Sequence, residues 1–273
     1  KNRAVFYSER FNQVLSLQMA METELRKAIE RDELILHYQP QVDASTRKLV
    51  GVEALIRWQK QPGVMVSPAE FIPLAEETGL IVPIGEWVIR TACRQAKRWM
   101  DAGAPEFHMS VNVSPRQFSE ANFAEVVSSI LEETGLPPER LALEITEGIA
   151  IQDVRETVEK LLALKRIGVL VSMDDFGTGY CSLAYLTLYQ ADALKIAQTF
   201  ISGVSADSDR ASIVKAILAM ASSLKLTVIA EGVETEEQYL FLKNNGCDWI
   251  QGYYFHKPLP PEEIGRLFAE TAA

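Results

Sequence analysis

The chain has 273 residues, of which 48% are hydrophobic and 23% are charged, so it can bury the core of one or two domains. Its 27 basic and 37 acidic side chains give a net charge of −10 at pH 7. This acidity argues against non-specific binding to duplex nucleic acid, but not against a small anionic ligand held through metal ions. No stretch approaches the ~18 consecutive apolar residues of a membrane span.

Cysteine and histidine usage excludes several kinds of metal site. Cys93, Cys181 and Cys247 are far apart without C-x-x-C spacing, and no histidine lies in an H-E-x-x-H motif. A disulfide framework and a thiolate or histidine-rich metal site are therefore not expected. Unpaired cysteines are typical of a reducing compartment, so we expect a cytoplasmic location, although other parts of a full-length protein could anchor it in a membrane.

The first 32 residues precede the main pattern of the chain. Residues 1–11 are predicted to form a short strand. Residues 12–32 are predicted to form a helix, because side chains such as Val14, Met21 and Leu25 recur at helical spacing. This helix either packs on the domain that follows or links it to an upstream domain, and its pattern is compatible with both.

From residue 34 onward, short apolar segments alternate with helical patterns. The eight predicted strands are 34–40, 49–56, 107–113, 141–146, 169–174, 193–197, 227–231 and 249–255. The predicted helices are 86–102, 121–134, 152–167, 209–224 and 234–244. Strands that alternate with helices form parallel βαβ units, so residues 33–273 are predicted to form one α/β domain, a TIM-like (β/α)8 barrel.

The connection between the first two strands is too short for this pattern. Residues 41–48 separate them, whereas a parallel crossover needs about a dozen residues or more. The first strand pair is therefore predicted to be antiparallel, which makes the barrel irregular.

Polar side chains interrupt seven consecutive apolar strands, mostly near their carboxyl ends. They are Glu53, Asn112, Glu144, Asp174, Asp175, Lys195, Glu231 and Gln251. A buried charge costs several kcal/mol unless it is paired or bound to metal, so packing alone does not explain the series. The carboxyl ends of barrel strands form the active-site face, and we expect these side chains to converge there.

The oxygen donors in this series predict a site for divalent cations. Carboxylate and amide oxygens without His or Cys suit Mg²⁺ or Mn²⁺. Adjacent aspartates at a strand end can flank two metals ~4 Å apart, as in phosphoryl chemistry. The segment D-D-F-G at 174–177 would by itself indicate only a turn or helix cap. Glu147, just after its strand, either caps the next helix or anchors the loop 174–180.

The residues around Glu53 resemble a known family. The run Glu53-Ala54-Leu55, continued by Ile56-Arg57-Trp58, resembles the signature of EAL domains, which are cyclic di-GMP phosphodiesterases. Further similar blocks follow in the family's order over residues ~22–270. They are HYQP (37–40), SVNVSPRQF (110–118), LEITE (143–147), DDFGTGY (174–180), LKI (194–196), AEGVE (230–234) and CDWIQGYYFHKPLP (247–260).

The resemblance implies roles for individual residues. The implied ligands of one cation are Glu53, Asn112, Glu144 and Asp174, and those around a second are Asp174, Asp175 and Glu231. Glu231 is also the implied general base, and Lys195 the group that holds a catalytic water or phosphate oxygen. Arg57 is implied to contact phosphate, and Glu147 to anchor the loop 174–180. The other implied substrate-pocket or active-site positions are Gln39, Leu55, Glu234 and Gln251.

The implied reaction is hydrolysis of cyclic di-GMP to linear 5′-pGpG in bacterial second-messenger signalling, with two Mg²⁺ or Mn²⁺ ions as cofactors. Residues 1–11 also resemble the end of a GGDEF domain, with residues 12–32 as the linker. The resemblance therefore implies an upstream GGDEF or sensor domain in the same protein, and a homodimer.

Ala197 departs from the family pattern, which usually has Lys-Ile-Asp where this chain has Lys195-Ile196-Ala197. Loss of one preorganised polar group in such a site can slow a reaction by ~10²–10³. Two functions are therefore expected as alternatives: a phosphodiesterase, slowed or not, and a degenerate domain that senses cyclic di-GMP without hydrolysing it. A barrel metallohydrolase for another phosphodiester is a more distant third.

Overall fold

The computed structural model describes residues 9–61, 63–149, 154–177, 183–204 and 209–272. The chain divides into two compact units, one formed by residues up to 35 with 56–84, and one formed by residues 36–55 with 85–273. None of the described helices is both long and apolar enough to cross a membrane.

The strands of the described residues form one sheet. Their bounds are β1 Leu34–Asp43, β2 Leu49–Gln61, β3 Val64–Val66, β4 His108–Val113, β5 Leu141–Thr146, β6 Leu170–Phe176, β7 Ala193–Ile196, β8 Thr227–Ala230 and β9 Trp249–Gln251. The order is β1-β9-β8-β7-β6-β5-β4-β2-β3, and β1 also pairs with β2. Without β3, the sheet is thus a closed barrel of eight strands, as predicted.

The first strand is the irregular one. Strand β1 runs antiparallel to β9. The pair β2–β4 and each successive pair from β4–β5 to β8–β9 are parallel. Strands β2 and β9 therefore run in the same direction, and β1 is antiparallel to β2 as well. A tight turn at 44–48 joins the two strands. The Asp43 carboxylate accepts the Thr46 amide at 2.7 Å, and the Asp43 amide donates to the Lys48 carbonyl at 2.8 Å. The predicted antiparallel first pair is confirmed.

The described helices confirm the predicted alternation of strands and helices and include five helices that were not predicted. Their bounds are α1 Glu9–Ala28, α2 Pro68–Thr78, α3 Ile81–Asp101, α4 Pro115–Ser119, α5 Phe123–Thr134, α6 Val154–Ile167, α7 Leu183–Tyr189, α8 Gln198–Ile201, α9 Asp209–Leu224, α10 Glu236–Asn244 and α11 Pro261–Ala272. All five predicted helices of the barrel domain are present. The additional ones are α2, α4, α7, α8 and α11.

The predicted N-terminal strand is wrong where it can be compared. Glu9–Phe11 belong to α1, and residues 1–8 lie outside the described residues. The helical prediction for 12–32 holds as far as Ala28. Leu25 and Ala28 are fully buried, and α1 packs against α2 within the first unit. The linker role stays a prediction.

Each unit has its own aromatic packing. In the first unit, Trp58 meets Phe71 edge to face at 5.7 Å, and its indole N–H donates to the Glu33 carboxylate at 3.1 Å. In the second unit, Trp99 lies at the centre of a cluster. Its ring contacts are Tyr38, Phe107 and Phe268 at centroid distances of 4.9, 6.0 and 5.5 Å.

Candidate active site

Lys195 of β7 lies at the centre of the site, inside the barrel and fully buried. Its Nζ is 2.6 Å from Glu144 Oε2 and 2.6 Å from Glu231 Oε1. It is also 3.4 Å from Glu53 Oε2 and 3.5 Å from Asp174 Oδ1. We call these four carboxylates, from β2, β5, β6 and the end of β8, the carboxylate cage.

The cage keeps Lys195 charged. Burial by itself would lower the pKa of this lysine, but the nearby charges of Glu144, Glu231 and the rest of the cage outweigh burial and raise the pKa well above its usual range. The ammonium therefore stays protonated at neutral pH. One positive charge faces four carboxylates, so the cage has an excess of negative charge that further cations would offset.

Glu53 is held as a carboxylate by its amide neighbours as well as by Lys195. Asn112 Nδ2 donates to Glu53 Oε1 at 2.5 Å, and Gln251 Nε2 donates to Glu53 Oε2. Burial opposes ionisation, but the Lys195 charge and these hydrogen bonds outweigh it and lower the pKa of Glu53. The sequence-predicted residues from β2, β4 and β9 are thus in direct contact.

For Glu144, the effects that raise the pKa outweigh those that lower it. Burial, followed by the charge of Glu53, raises its pKa well above the usual range despite Lys195. One carboxylate oxygen contacts Lys195, while Oε1 is buried without a hydrogen-bond partner among the described residues. An orphaned buried carboxylate oxygen is costly, and coordination to a cation would satisfy it.

Asp174 and Asp175 share the site because the strand is irregular there. In a regular strand their side chains would point to opposite faces. The β6–β7 register shifts between Met173 and Phe176, and Asp175 has a left-handed φ of 53°. Such a bulge redirects a side chain, and the carboxylates of Asp174, Asp175 and Glu231 each offer an oxygen within 4.8 Å of the others.

These donors fit divalent cations. The three carboxylates that lie within 4.8 Å of one another and the orphaned Glu144 oxygen supply only hard oxygen ligands, which is the preference of Mg²⁺ and Mn²⁺. Burial, followed by the charge of Asp174, raises the pKa of Asp175, and a bound cation would reverse that effect.

A cleft of about 250 Å³ adjoins the cage on the same face of the barrel. Gln39, Glu53, Glu231, Glu234 and Gln251, all predicted site residues, line it. Gln251 Nε2 also donates to Gln39 Oε1 at 3.3 Å, which ties the cleft to the cage.

Four other residues of the cleft were not predicted from the sequence, namely Gln198, Gly232, Gly252 and Tyr253. The Tyr253 ring is 57% exposed, with Lys257 Nζ 5.4 Å from its centroid. Gly232 has a φ of +65°, and a Cβ there would lie 2.2 Å from Gln198 Cγ. The glycine thus allows the glutamine side chain to reach the cleft. Tyr253, two residues after Gln251 within the block 247–260, was the position that the motif could have revealed.

The other predicted positions have different surroundings. Arg57 belongs to the first unit, where its guanidinium donates to the Ile56 carbonyl at 2.8 Å. Leu55 is half-buried at the end of the β2 segment of the second unit. Glu147 Oε1 accepts the Gly177 amide at 2.8 Å. Residues 178–180 of the proposed loop and Cys181 lie outside the described residues. The roles of Arg57, Leu55 and Glu147 stay predictions.

Ala197 directly follows β7 and is the N-cap residue of α8. It is 2% exposed, and no side-chain hydrogen bond caps this helix. An aspartate would cap the helix and add a carboxylate two residues from Lys195.

The closed barrel, with its carboxylate cage and cleft, defines a TIM-type barrel with an acidic, oxygen-rich active-site face. Residues 22–258 match the EAL domain family. The chain is 43% identical over 97% of its length to the bifunctional diguanylate cyclase/cyclic di-GMP phosphodiesterase MucR of Pseudomonas aeruginosa. It is 40% identical over 100% of its length to the cyclic di-GMP phosphodiesterase NbdA of the same organism.

A solved structure of the PaMucR phosphodiesterase in a c-di-GMP complex is 45% identical. It superposes with a TM-score of 0.86 over 90% of this chain and 99% of that one. The chain spans only 38% and 35% of the full lengths of MucR and NbdA. It belongs to the EAL domain family.

Proposed function

We propose that this EAL domain hydrolyses cyclic di-GMP to linear 5′-pGpG with two divalent cations, Mg²⁺ or Mn²⁺. The observation that carries the proposal is the cage of four carboxylates around the buried Lys195, beside a cleft in a fold shared with a cyclic di-GMP complex. When bound, the cations would lower the pKa of the attacking water and neutralise the phosphate. Their proposed ligands are Glu53, Asn112, Glu144, Asp174, Asp175 and Glu231.

Glu231 is the proposed general base. Its carboxylate lies 2.6 Å from Lys195 Nζ and offers an oxygen within 4.8 Å of those of Asp174 and Asp175, so it can reach a water held at the proposed cation site. In the ionised form, its carboxylate takes a proton from the attacking water. The adjacent ammonium of Lys195 then stabilises the negative charge that develops on a phosphate oxygen.

The cleft is the proposed guanine and phosphate site. Gln39, Glu234 and Gln251 present amide and carboxylate groups that can bind the polar edge of guanine, which has both donors and acceptors. The exposed Tyr253 ring provides a surface on which a base can stack. Arg57 and Leu55 are proposed as further substrate contacts.

A second candidate function is a sensor that binds cyclic di-GMP without turnover. It is favoured by Ala197, which places a methyl group where the family usually has a carboxylate, beside the strand that carries Lys195. The two functions differ in one assay. The chain is incubated with cyclic di-GMP and Mg²⁺ or Mn²⁺, and pGpG is quantified alongside binding. Metal-dependent pGpG supports the enzyme, whereas micromolar binding without product supports the sensor.

We further propose that the chain acts in the cytoplasm as a homodimer, coupled to GGDEF or sensor domains in the same protein. The greater length of MucR and NbdA supports the second part, because each has room for other domains. Sedimentation at two protein concentrations tests self-association, and a monomer at both contradicts the dimer.

A further inference from the structure

A second cavity lies at the other end of the barrel. Its volume is about 160 Å³, and its lining includes the first residues of five parallel strands: His108, Leu170, Ala193, Thr227 and Trp249. The cavity is therefore at the amino-terminal face, opposite to the face where the carboxylate cage and the substrate cleft lie.

Small side chains account for the space. Barrel interiors are usually filled by bulky branched residues. Here Ser110 pairs with Ala142 across β4 and β5, and Ser172 pairs with Ala193 across β6 and β7. All four residues line the cavity. At these two paired positions the four side chains supply only hydroxyl and methyl groups, where bulkier residues would fill the barrel.

One polar group in the cavity lacks a partner. Ser172 is 1% exposed, and its Oγ has no hydrogen-bond partner among the residues that the structure describes. A buried hydroxyl without a partner costs free energy, so a ligand atom that bonds to it is stabilised. This hydroxyl lies on the same strand as Asp174, two residues nearer the amino-terminal face.

The remaining walls are apolar or electrically neutral. The Trp249 indole stacks on the His108 ring with centroids 5.5 Å apart, and Leu170 and Ile229 add aliphatic surface. Asp192 at the rim is neutralised by Lys165, whose Nζ lies 2.6 Å and 2.7 Å from its two carboxylate oxygens. A charged ligand would therefore find no free counter-charge on these walls.

We propose that this cavity binds a small neutral molecule that has one apolar ring and a single hydroxyl or carbonyl group. The hydroxyl or carbonyl bonds to Ser172 Oγ, and the ring packs against Trp249, Leu170 and Ile229. A cavity of this volume can hold a single aromatic ring, since an engineered apolar cavity of about 150 Å³ binds benzene. The proposal adds a site that the proposed phosphodiesterase reaction does not use.

Phenol is the probe, and toluene, which lacks the hydroxyl, is the matched control. The indole N–H resonance of Trp249, assigned with the Trp249→Phe variant, reports binding in the intact chain. We expect saturable shifts with millimolar phenol and weaker binding of toluene. The Ser172→Ala variant should bind phenol about fivefold more weakly, which is the equivalent of one hydrogen bond, and should bind toluene with unchanged affinity.

Two cavity-filling variants test the location. Ala193→Leu should abolish the phenol shift, and Ala142→Val, a smaller change, should weaken it if Ala193→Leu does not fold. The proposal is overturned if phenol leaves the Trp249 resonance unmoved, because the cavity then holds only water. It is also overturned if Ser172→Ala reduces the affinity for phenol and for toluene equally. The same holds if the cavity-filling variants fold and bind phenol as tightly as the parent chain.

Discussion

Replacement of Lys195 by methionine tests the central electrostatic argument. The variant keeps the apolar length of the side chain and removes the ammonium that contacts Glu144 and Glu231 at 2.6 Å. Removing one partner of a buried ion pair costs about 3–5 kcal/mol, because an uncompensated charge stays buried. For a chain of this size that loss corresponds to a fall in melting temperature of about 6–20 °C.

The loss should depend on pH in a defined direction. Lys195 is the main group that lowers the pKa of Glu53 against burial, so its removal leaves burial to raise that pKa above the unfolded value. A carboxyl group whose folded pKa lies above the unfolded value of about 4.3 destabilises the fold progressively as pH rises through that value. The stability deficit of Lys195→Met should therefore be larger at pH 8 than at pH 5.

Lys165→Met is the matched control. Lys165 also lies 2.6 Å from a carboxylate oxygen, on Asp192, but this pair is partly exposed. A solvent-screened pair contributes about 1 kcal/mol or less. Thermal and urea denaturation, followed by circular dichroism in the presence of EDTA, compare the two variants at both pH values. A stability deficit of Lys195→Met that is no larger than that of Lys165→Met, or that does not grow with pH, would refute the role of Lys195 as the buried counter-charge of the cage.

Three other substitutions have defined outcomes. Glu231→Gln should reduce cyclic di-GMP turnover by ~10²–10⁴ because the base is lost; a variant that turns over as fast as the parent chain would contradict its role. Ala197→Asp should speed metal-dependent turnover by up to ~10²–10³, because it restores a carboxylate two residues from Lys195; a folded variant that is no faster would limit the position to capping. His108→Gln should reduce the loss of stability below about pH 6.5, because burial lowers the folded pKa of His108 and the unfolded chain takes up the proton first. Burial lowers the pKa of His256 too, so part of that loss should remain, and a pH dependence identical to that of the parent chain would contradict the role of His108.

The barrel was predictable because its signals are local. Each parallel strand is a short apolar run, and the Gly residues after the helices separate these runs from one another. The short turn after Asp43 showed the antiparallel first pair in the same way. The helices α4 and α8 were not predicted, because five and four residues are too few to show a helical period. Residues 9–11 were assigned wrongly because the helix begins earlier than its apolar pattern.

The site residues were also recognisable in the sequence, since a charged side chain within an apolar strand is an anomaly wherever it occurs. Glu53, Glu144 and Lys195 needed no structure to stand out. Their contacts did need it, because the sequence does not record which groups from separate strands meet. Only the closed barrel brings Lys195 within 3.5 Å of four carboxylates, and this proximity sets the pKa values.

Features that depend on the exact path of the backbone were decided by the tertiary structure alone. The left-handed Asp175 brings both aspartates to the site, and Gly232 leaves room for Gln198 in the cleft. The cavity at Ser172 exists because small residues from four strands happen to fall in one region of the barrel. The sequence by itself determined the elements and the chemical groups, because periodicity and charge are local; the tertiary structure decided their partners, because distances between strands depend on how the barrel closes.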